Sequence, residues 1–495
     1  MLFNSAQFLV FFPIVVLLYF VCPDKLKNYL LLIASYFFYM CWNAEYALLI
    51  LTTTIITFGS GMVIEKAKES DNDKRSKAKL AVAASFILNI GILFYFKYTN
   101  FALGLMGGVL GRVGIGVNIP VFDIVLPVGI SFYTFQALSY TMDVYRGDIY
   151  AEKNFFKYAL FVSFFPQLVA GPIERSKNLL KQLQPHKFNY EDFREGFMLM
   201  LWGYFLKLVL ADRIAIFVDT VYKDYNQFGG MYIVVATMLF AVQIYCDFAG
   251  YSVIAMGAAQ ILGIRLMENF DAPYLSTTVA EFWRRWHISL TSWFRDYLYI
   301  PLGGSREGKL RKYINIMIVF LVSGLWHGAS LSFVLWGGLN GLYQVIGSLL
   351  MPIRDKLRNL LGINKDKLGY KVAGAVITFV LVDFAWLFFR ADSLSDSFAM
   401  VRQMFAVRNP WVLFDHSSLY QCGLTNVNFR LMLIAIFILF VADLCKKKGI
   451  VIRKVILEQD HWVRWIVIPV IICFILVFGI WGPSYNEANF IYFQF

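Results

Sequence analysis

Apolar stretches long enough to cross a lipid bilayer recur from one end of this chain to the other, and no other feature restricts its fold so strongly. A helical span needs about 20 predominantly apolar residues. The clearest windows are Phe8–Cys22, Tyr29–Trp42, Tyr46–Ile64, Leu80–Phe96, Ile124–Met142, Phe155–Val169, Phe197–Leu210 and Met231–Ile244. Ile314–His327, Leu331–Leu350, Val372–Phe389, Leu431–Leu444 and Val463–Ile480 follow, and Phe101–Val117 is a weaker, Gly-rich candidate. The pattern predicts an all-α fold, a polytopic membrane helical bundle of roughly 11–14 spans, with shorter windows as re-entrant pieces. Residues 1–495 are expected to form a single transmembrane domain.

Composition agrees. The chain is 59% hydrophobic and 16% charged, against about 45–50% and about 25% for a soluble globular protein. Its 48 Phe and 28 Tyr suit buried helices with aromatic belts at the interfaces. The net charge of +12 marks cytoplasmic loops and contacts with membrane lipids. No soluble domain carries a basic face, so nucleic acid is not an expected partner. Six cysteines lie scattered without a C-x-x-C pair, which argues against a disulfide frame or a zinc site. The N-terminus lacks a basic n-region and a small-residue cleavage site, so the first apolar stretch is expected to be a retained span.

Lysine and arginine set the orientation. Glu65 to Lys79 holds six of them, and Arg354 to Lys371 and Lys446 to Lys454 are also basic. Placing all three in the cytoplasm puts both termini outside. The longest break in the apolar pattern, Asn269 to Lys312, carries Arg284, Arg285, Arg295, Arg306, Lys309, Arg311 and Lys312. Phe282, Trp286, Trp293 and Tyr297 roughly share one helical face, which predicts an amphipathic helix at the inner interface, ended by the turn Pro301-Leu302-Gly303-Gly304.

Two of the five histidines stand out. His327 closes an apolar run, and His287 lies in Phe282-Trp283-Arg284-Arg285-Trp286-His287. An ionisable group within a membrane helix is costly and marks a functional site by default. A span starting near Tyr313 would carry the His327 imidazole ~20 Å in from the cytoplasmic face, at ~1.5 Å per residue. Burial keeps an imidazole neutral, the state that a general base needs. A packing histidine bonded to a neighbouring carbonyl is the alternative. For His287 the two readings are a polar group aligning donor or acceptor near His327, and an interfacial aromatic. Arg284 and Arg285 suit phosphate groups and lipid headgroups alike.

Other patterns carry less. Gly303 to Lys309 nearly matches a P-loop, but Leu310 stands where Ser or Thr should hold magnesium. Gly337 and Gly341 read as a helix-packing pair. His186, His416 and His461 sit in polar stretches and are expected to be solvated. No group of residues has metal-ligand spacing, and no G-x-S-x-G elbow occurs. The intramembrane carboxylates Asp247 and Asp383, with Asp212 and Asp443 near span ends, leave open a proton path and hence a non-enzymatic polysaccharide or lipid transporter.

The run Glu281-Phe282-Trp283-Arg284-Arg285-Trp286-His287-Ile288-Ser289-Leu290, continued by Trp293 to Gly304, resembles the membrane-bound O-acyltransferase family. Leu325-Trp326-His327-Gly328-Ala329 resembles that family's catalytic histidine element. Tyr299-Ile300-Pro301-Leu302-Gly303-Gly304, Ala170-Gly171-Pro172-Ile173, Val382-Asp383-Phe384-Ala385-Trp386 and the tail Phe490 to Phe495 are more similar to the bacterial alginate O-acetylation branch than to D-alanine export. The resemblance implies a helical bundle with a tunnel or funnel from the cytoplasm, His327 at its constriction as catalytic residue and His287 in support. It also implies a multi-pass protein of the bacterial cytoplasmic membrane that carries an acetyl group outward from a cytoplasmic thioester, acetyl-CoA, with no bound cofactor. An extracytoplasmic acetyltransferase partner would then modify a surface polysaccharide. D-Alanyl transfer toward teichoic acid is the enzymatic alternative. The aromatic tail is expected to be exposed, either docking a partner or folding back on the bundle.

Overall fold

A computed structural model describes residues 1–68, 74–115, 119–169, 171–415, 417–481 and 491. All regular structure among them is helical. Two compact units are distinguished, Met1–Met200 with Ala255–Met267, and Leu201–Ile254 with Glu268–Phe495.

The first unit holds α1 (Ala6–Val21), α2 (Asp24–Met40), α3 (Ala47–Lys68), α4 (Lys74–Arg112), α5 (Ile130–Arg146), α6 (Phe155–Ser163), α7 (Phe165–Leu168), α8 (Ser176–Gln182) and most of α9 (Tyr190–Tyr204). α3 packs on α4, α5 and α6. The windows Leu80–Phe96 and Phe101–Val117 prove to be largely one helix, α4, because the residues between them, Lys97 to Asn100, include neither Pro nor Gly to break it. Phe155–Val169, expected as one window, is split at Phe164 into α6 and α7, with Pro166 in the first turn of the second.

The second unit holds α10 (Asp212–Lys223), the first part of α11 (Gly230–Ile261), α12 (Val279–Arg285), α13 (Ile288–Phe294), α14 (Gly308–His327), α15 (Leu331–Leu349), α16 (Met351–Leu360), α17 (Leu368–Arg390), α18 (Leu394–Ala406), α19 (Asn426–Lys447), α20 (Ile452–Leu457) and α21 (His461–Phe478). Before α10, Phe205–Ala211 is wound as a π-helix. α14 and α15 form a tight antiparallel hairpin, and α15 packs on α17. Glycine makes that hairpin possible: a Cβ at Gly324 would strike the Phe333 carbonyl, and one at Gly337 the Phe320 carbonyl. Gly341 likewise faces Met317, so Gly337 and Gly341 are packing positions as expected.

Among the described residues, six helices are long and apolar enough to cross a membrane, or seven if α15 and α16, bent by 48°, count as one span. The other apolar windows form shorter, bent or charge-flanked helices. α14, for example, begins with Lys309, Arg311 and Lys312 in its first turns.

Candidate functional site

The two sequence-singled histidines meet in the second unit. His327 is the last residue of α14, not a mid-helix one, because Gly328 turns extended (φ −158°) and Ser330 caps α15 by accepting the Ser332 N–H at 3.2 Å. His287 sits where a single amphipathic helix was expected. The segment is instead broken there into α12 and α13, with His287 in the left-handed region at φ 43°. A non-glycine residue in that region is strained by about 1–3 kcal/mol, and neighbouring chain holds it. The Ile288 N–H donates to the Asn269 carbonyl at 2.9 Å, and the Asp271 N–H to the Arg285 carbonyl at 2.9 Å. Phe282, Trp286 and Trp293 are buried in protein, so this segment does not lie along an interface with those rings in lipid.

The imidazoles lie 6.4 Å apart, centre to centre, and are tilted by 60°. Both are buried, His287 at 1% and His327 at 5% exposure. Aromatic rings close around them. His327 stands edge-on to Trp326 at 4.9 Å, Trp336 at 5.1 Å and Phe389 at 5.5 Å. His287 stands edge-on to Phe248 at 4.6 Å. Trp386 and Trp336 stack at 5.6 Å, and Trp286 lies 5.1 Å from Trp386. Thus α11, α14, α15, α17 and the turn that follows α12 each contribute a wall.

The proton on His287 can be placed. The Ser289 backbone N–H points at one side-chain atom of Asn269, 3.2 Å away, and a backbone N–H only donates, so that atom is the amide oxygen. The same oxygen faces His287 Nδ1 at 3.1 Å and accepts from Ser289 Oγ at 2.9 Å. Nδ1 therefore carries a hydrogen, and in neutral imidazole Nε2 keeps the lone pair. Burial pushes the His287 pKa down from 6.5 to about 3, which favours that neutral form.

The remaining candidates separate clearly. Arg285 is held by Glu281 at 3.1 Å and Asp271 at 3.0 Å, while Arg284 is exposed. Asp212 and Asp247 come together on one ammonium, Lys207, at 2.8 and 2.7 Å, all three buried. Asp443 accepts from the Tyr245 hydroxyl at 3.1 Å, and Asp383 is half-buried on α17. His461 is exposed, as expected. His186 departs from the expected solvation: it is half-buried, with Nε2 2.8 Å from the Gln182 carbonyl. His416 and Ala170 lie outside the described residues. So does most of the aromatic tail, but Ile491 is 2% exposed, not open to solvent, and its N–H donates to Asp247 at 2.8 Å. Among the described residues no group of three His, Cys, Asp or Glu is placed to hold a metal.

Sequence reasoning missed Asn269 and Lys207. Asn269 carries no local signal, since its role exists only once residues 18 positions later fold back on it. Lys207 could have been found as the one cation within the apolar window Phe197–Leu210.

Long apolar helices define a multi-pass membrane protein, and the histidine pair buried in aromatic rings is its candidate site. Residues 151–360 match the membrane-bound O-acyltransferase family. Over 436 residues the chain is 36% identical to the probable alginate O-acetylase of Pseudomonas syringae pv. tomato, covering 88% of this chain and 80% of that protein. It is 30% identical to the peptidoglycan O-acetyltransferase of Helicobacter pylori, over 82% of this chain and 80% of that protein. The teichoic acid D-alanyltransferase of Bacillus subtilis is 27% identical over 44% of this chain and 58% of its own length. The chain belongs to the membrane-bound O-acyltransferase family and is an acyltransferase. That membership sets the non-enzymatic transporter aside.

Proposed function

We propose that the whole chain, 1–495, acts as one unit that moves an acetyl group from cytoplasmic acetyl-CoA across the bacterial cytoplasmic membrane, for O-acetylation of an extracytoplasmic polysaccharide with a separate extracytoplasmic acetyltransferase as partner. His327 is the catalytic base, and His287 supports it. The observation that carries this reading is the pairing of two buried imidazoles, one with its protonated nitrogen assigned, among aromatic rings.

The chemistry follows from those properties. The base takes the proton of an acceptor hydroxyl while its oxygen attacks the thioester carbonyl. A C–O bond forms, the C–S bond breaks, and the thiolate leaves to be protonated as free thiol. Neutral imidazole is the competent base, and the apolar rings around it keep competing water away from the thioester. Support for acetyl as the cargo comes from the two O-acetylating relatives, each matched along four-fifths or more of this chain.

D-Alanyl transfer from a carrier-protein thioester is the second reading, favoured by the partial match to a D-alanyltransferase. The Pro301-Leu302-Gly303-Gly304 element and the longer matches to the two O-acetylating relatives stand against it. The test is acetyl-CoA turnover by purified protein in lipid, read as free thiol, for wild type and His327→Ala. Loss of turnover in the variant alone supports the reading. Turnover equal in both removes His327 as the base, and consumption of D-alanyl carrier in place of acetyl-CoA removes acetyl as the cargo.

A further inference from the structure

Three donors converge on one side of the Asn269 amide, and the hydrogens on its other side are unused. The side-chain oxygen takes the Ser289 N–H at 3.2 Å, the Ser289 hydroxyl at 2.9 Å and His287 Nδ1 at 3.1 Å. The main chain is pinned as well, since the Asn269 carbonyl accepts the Ile288 N–H at 2.9 Å. The same side chain carries an NH2 with two hydrogens to donate. Asn269 is 1% exposed, and among the described residues that NH2 meets no acceptor. The rings beside His287, Phe248 at 4.6 Å and Phe270 at 6.5 Å, supply no oxygen or nitrogen. A buried donor without an acceptor is costly, and such groups are few in folded proteins and call for a reason. Amide bond lengths put Nδ2 about 2.3 Å from Oδ1, and hence within about 5.5 Å of His287 Nδ1.

Acyl transfer creates the acceptor that this donor lacks. As the hydroxyl oxygen attacks the thioester, the carbonyl π pair moves onto oxygen, and the tetrahedral species carries an oxyanion. A fixed N–H in a buried site stabilises that developing charge more than it stabilises the ground-state carbonyl. We infer that the Asn269 side-chain N–H donates to this oxyanion, which makes Asn269 a catalytic residue as well as the anchor of His287. The step balances: the C–O bond forms and the hydroxyl proton passes to the His327 imidazole. The oxyanion pair then restores C=O, the C–S bond breaks, and the proton leaves with the thiolate as free thiol. Because three donors already fix Oδ1, the amide needs no reorientation when the charge appears. The inference rests on the acyl-transfer reading of the histidine pair.

Asn269→Asp separates the two roles, since it keeps an oxygen for His287 and Ser289 but has no N–H to give. Wild type, Asn269→Asp and His327→Ala are compared in lipid for thiol release from acetyl-CoA, split into kcat and KM. A second readout is inhibition by a trifluoromethyl ketone analogue of acetyl-CoA, whose hydrate mimics the tetrahedral species. Asn269→Asp should lose roughly 10²- to 10³-fold in kcat, the size seen when one oxyanion donor is removed. KM and the melting temperature in detergent should stay close to wild type. The inhibition constant of the analogue should rise in parallel with the loss of kcat/KM, because both report binding of the transition state. A merely structural role would weaken acetyl-CoA and the analogue alike. Wild-type kcat in Asn269→Asp, or a lost kcat with the analogue bound as tightly as before, would overturn the inference. Loss in both readouts beside full turnover in His327→Ala would uphold the amide and refute His327 as the base. If D-alanyl carrier is the thioester consumed, the same kcat loss with that donor would uphold the amide while refuting acetyl-CoA.

Discussion

At the scale of single residues, the site depends on which nitrogen of each imidazole holds a proton and on what surrounds it. His327→Ala should lower thiol release by about 10²- to 10⁴-fold, the range for loss of a positioned general base, with the fold retained by circular dichroism. Asn269→Ala should act differently. It strips an acceptor from His287 Nδ1, the Ser289 N–H and the Ser289 hydroxyl, leaving buried donors unmade at about 1–3 kcal/mol, visible as a lower melting temperature in detergent. Acid provides a third test. Because burial lowers the folded His287 pKa from 6.5 to about 3, the unfolded chain binds a proton there that the folded chain refuses. Stability should therefore be highest above 6.5 and fall as the pH drops through that window toward 3. Comparing wild type with His287→Gln near neutrality and in mild acid checks this, and an identical acid dependence in the two proteins would count against it.

At the scale of elements, the hairpin of α14 and α15 holds His327 where it is, and that hairpin needs backbone-to-backbone approach. Gly324→Val has no room beside the Phe333 carbonyl, and the overpacking should cost about 1–3 kcal/mol or more together with most of the activity. Gly347 on the same α15 faces open space, so Gly347→Ala should be neutral or stabilising by up to about 1 kcal/mol. A thermal-shift comparison of the two variants separates local packing from generic helix propensity. The broken helix at His287 shows why element boundaries were hard to read. Val279 to Tyr299 has the composition and spacing of one amphipathic helix, and the break arises because Asn269 and Asp271 capture the backbone at Ile288 and Arg285. A non-local hydrogen bond leaves no trace in a local pattern.

At the scale of the whole molecule, the second unit carries a buried ammonium shared by two carboxylates. Lys207→Met would leave Asp212 and Asp247 without that cation, and removing one partner from a buried ion pair costs about 3–5 kcal/mol. Low yield of monodisperse protein is the expected outcome, with partial recovery when Asp212→Asn and Asp247→Asn are added. Recovery would identify the cluster as a structural anchor, as its contacts with the π-helix and tail indicate.

The all-helical membrane architecture was legible in the sequence because burial in lipid demands long runs of apolar side chains, and such runs are local. The two candidate histidines stood out in the sequence for the complementary reason, being ionisable groups in an apolar chain, and both are buried. Spacing along the chain could not reveal that their rings lie 6.4 Å apart, that Asn269 fixes the proton on one of them, or that the tail reaches Asp247. Each of those contacts joins residues from 18 to 244 positions apart. Only packing in three dimensions decides such pairings, since their energies depend on distance and angle between groups that the sequence leaves unordered.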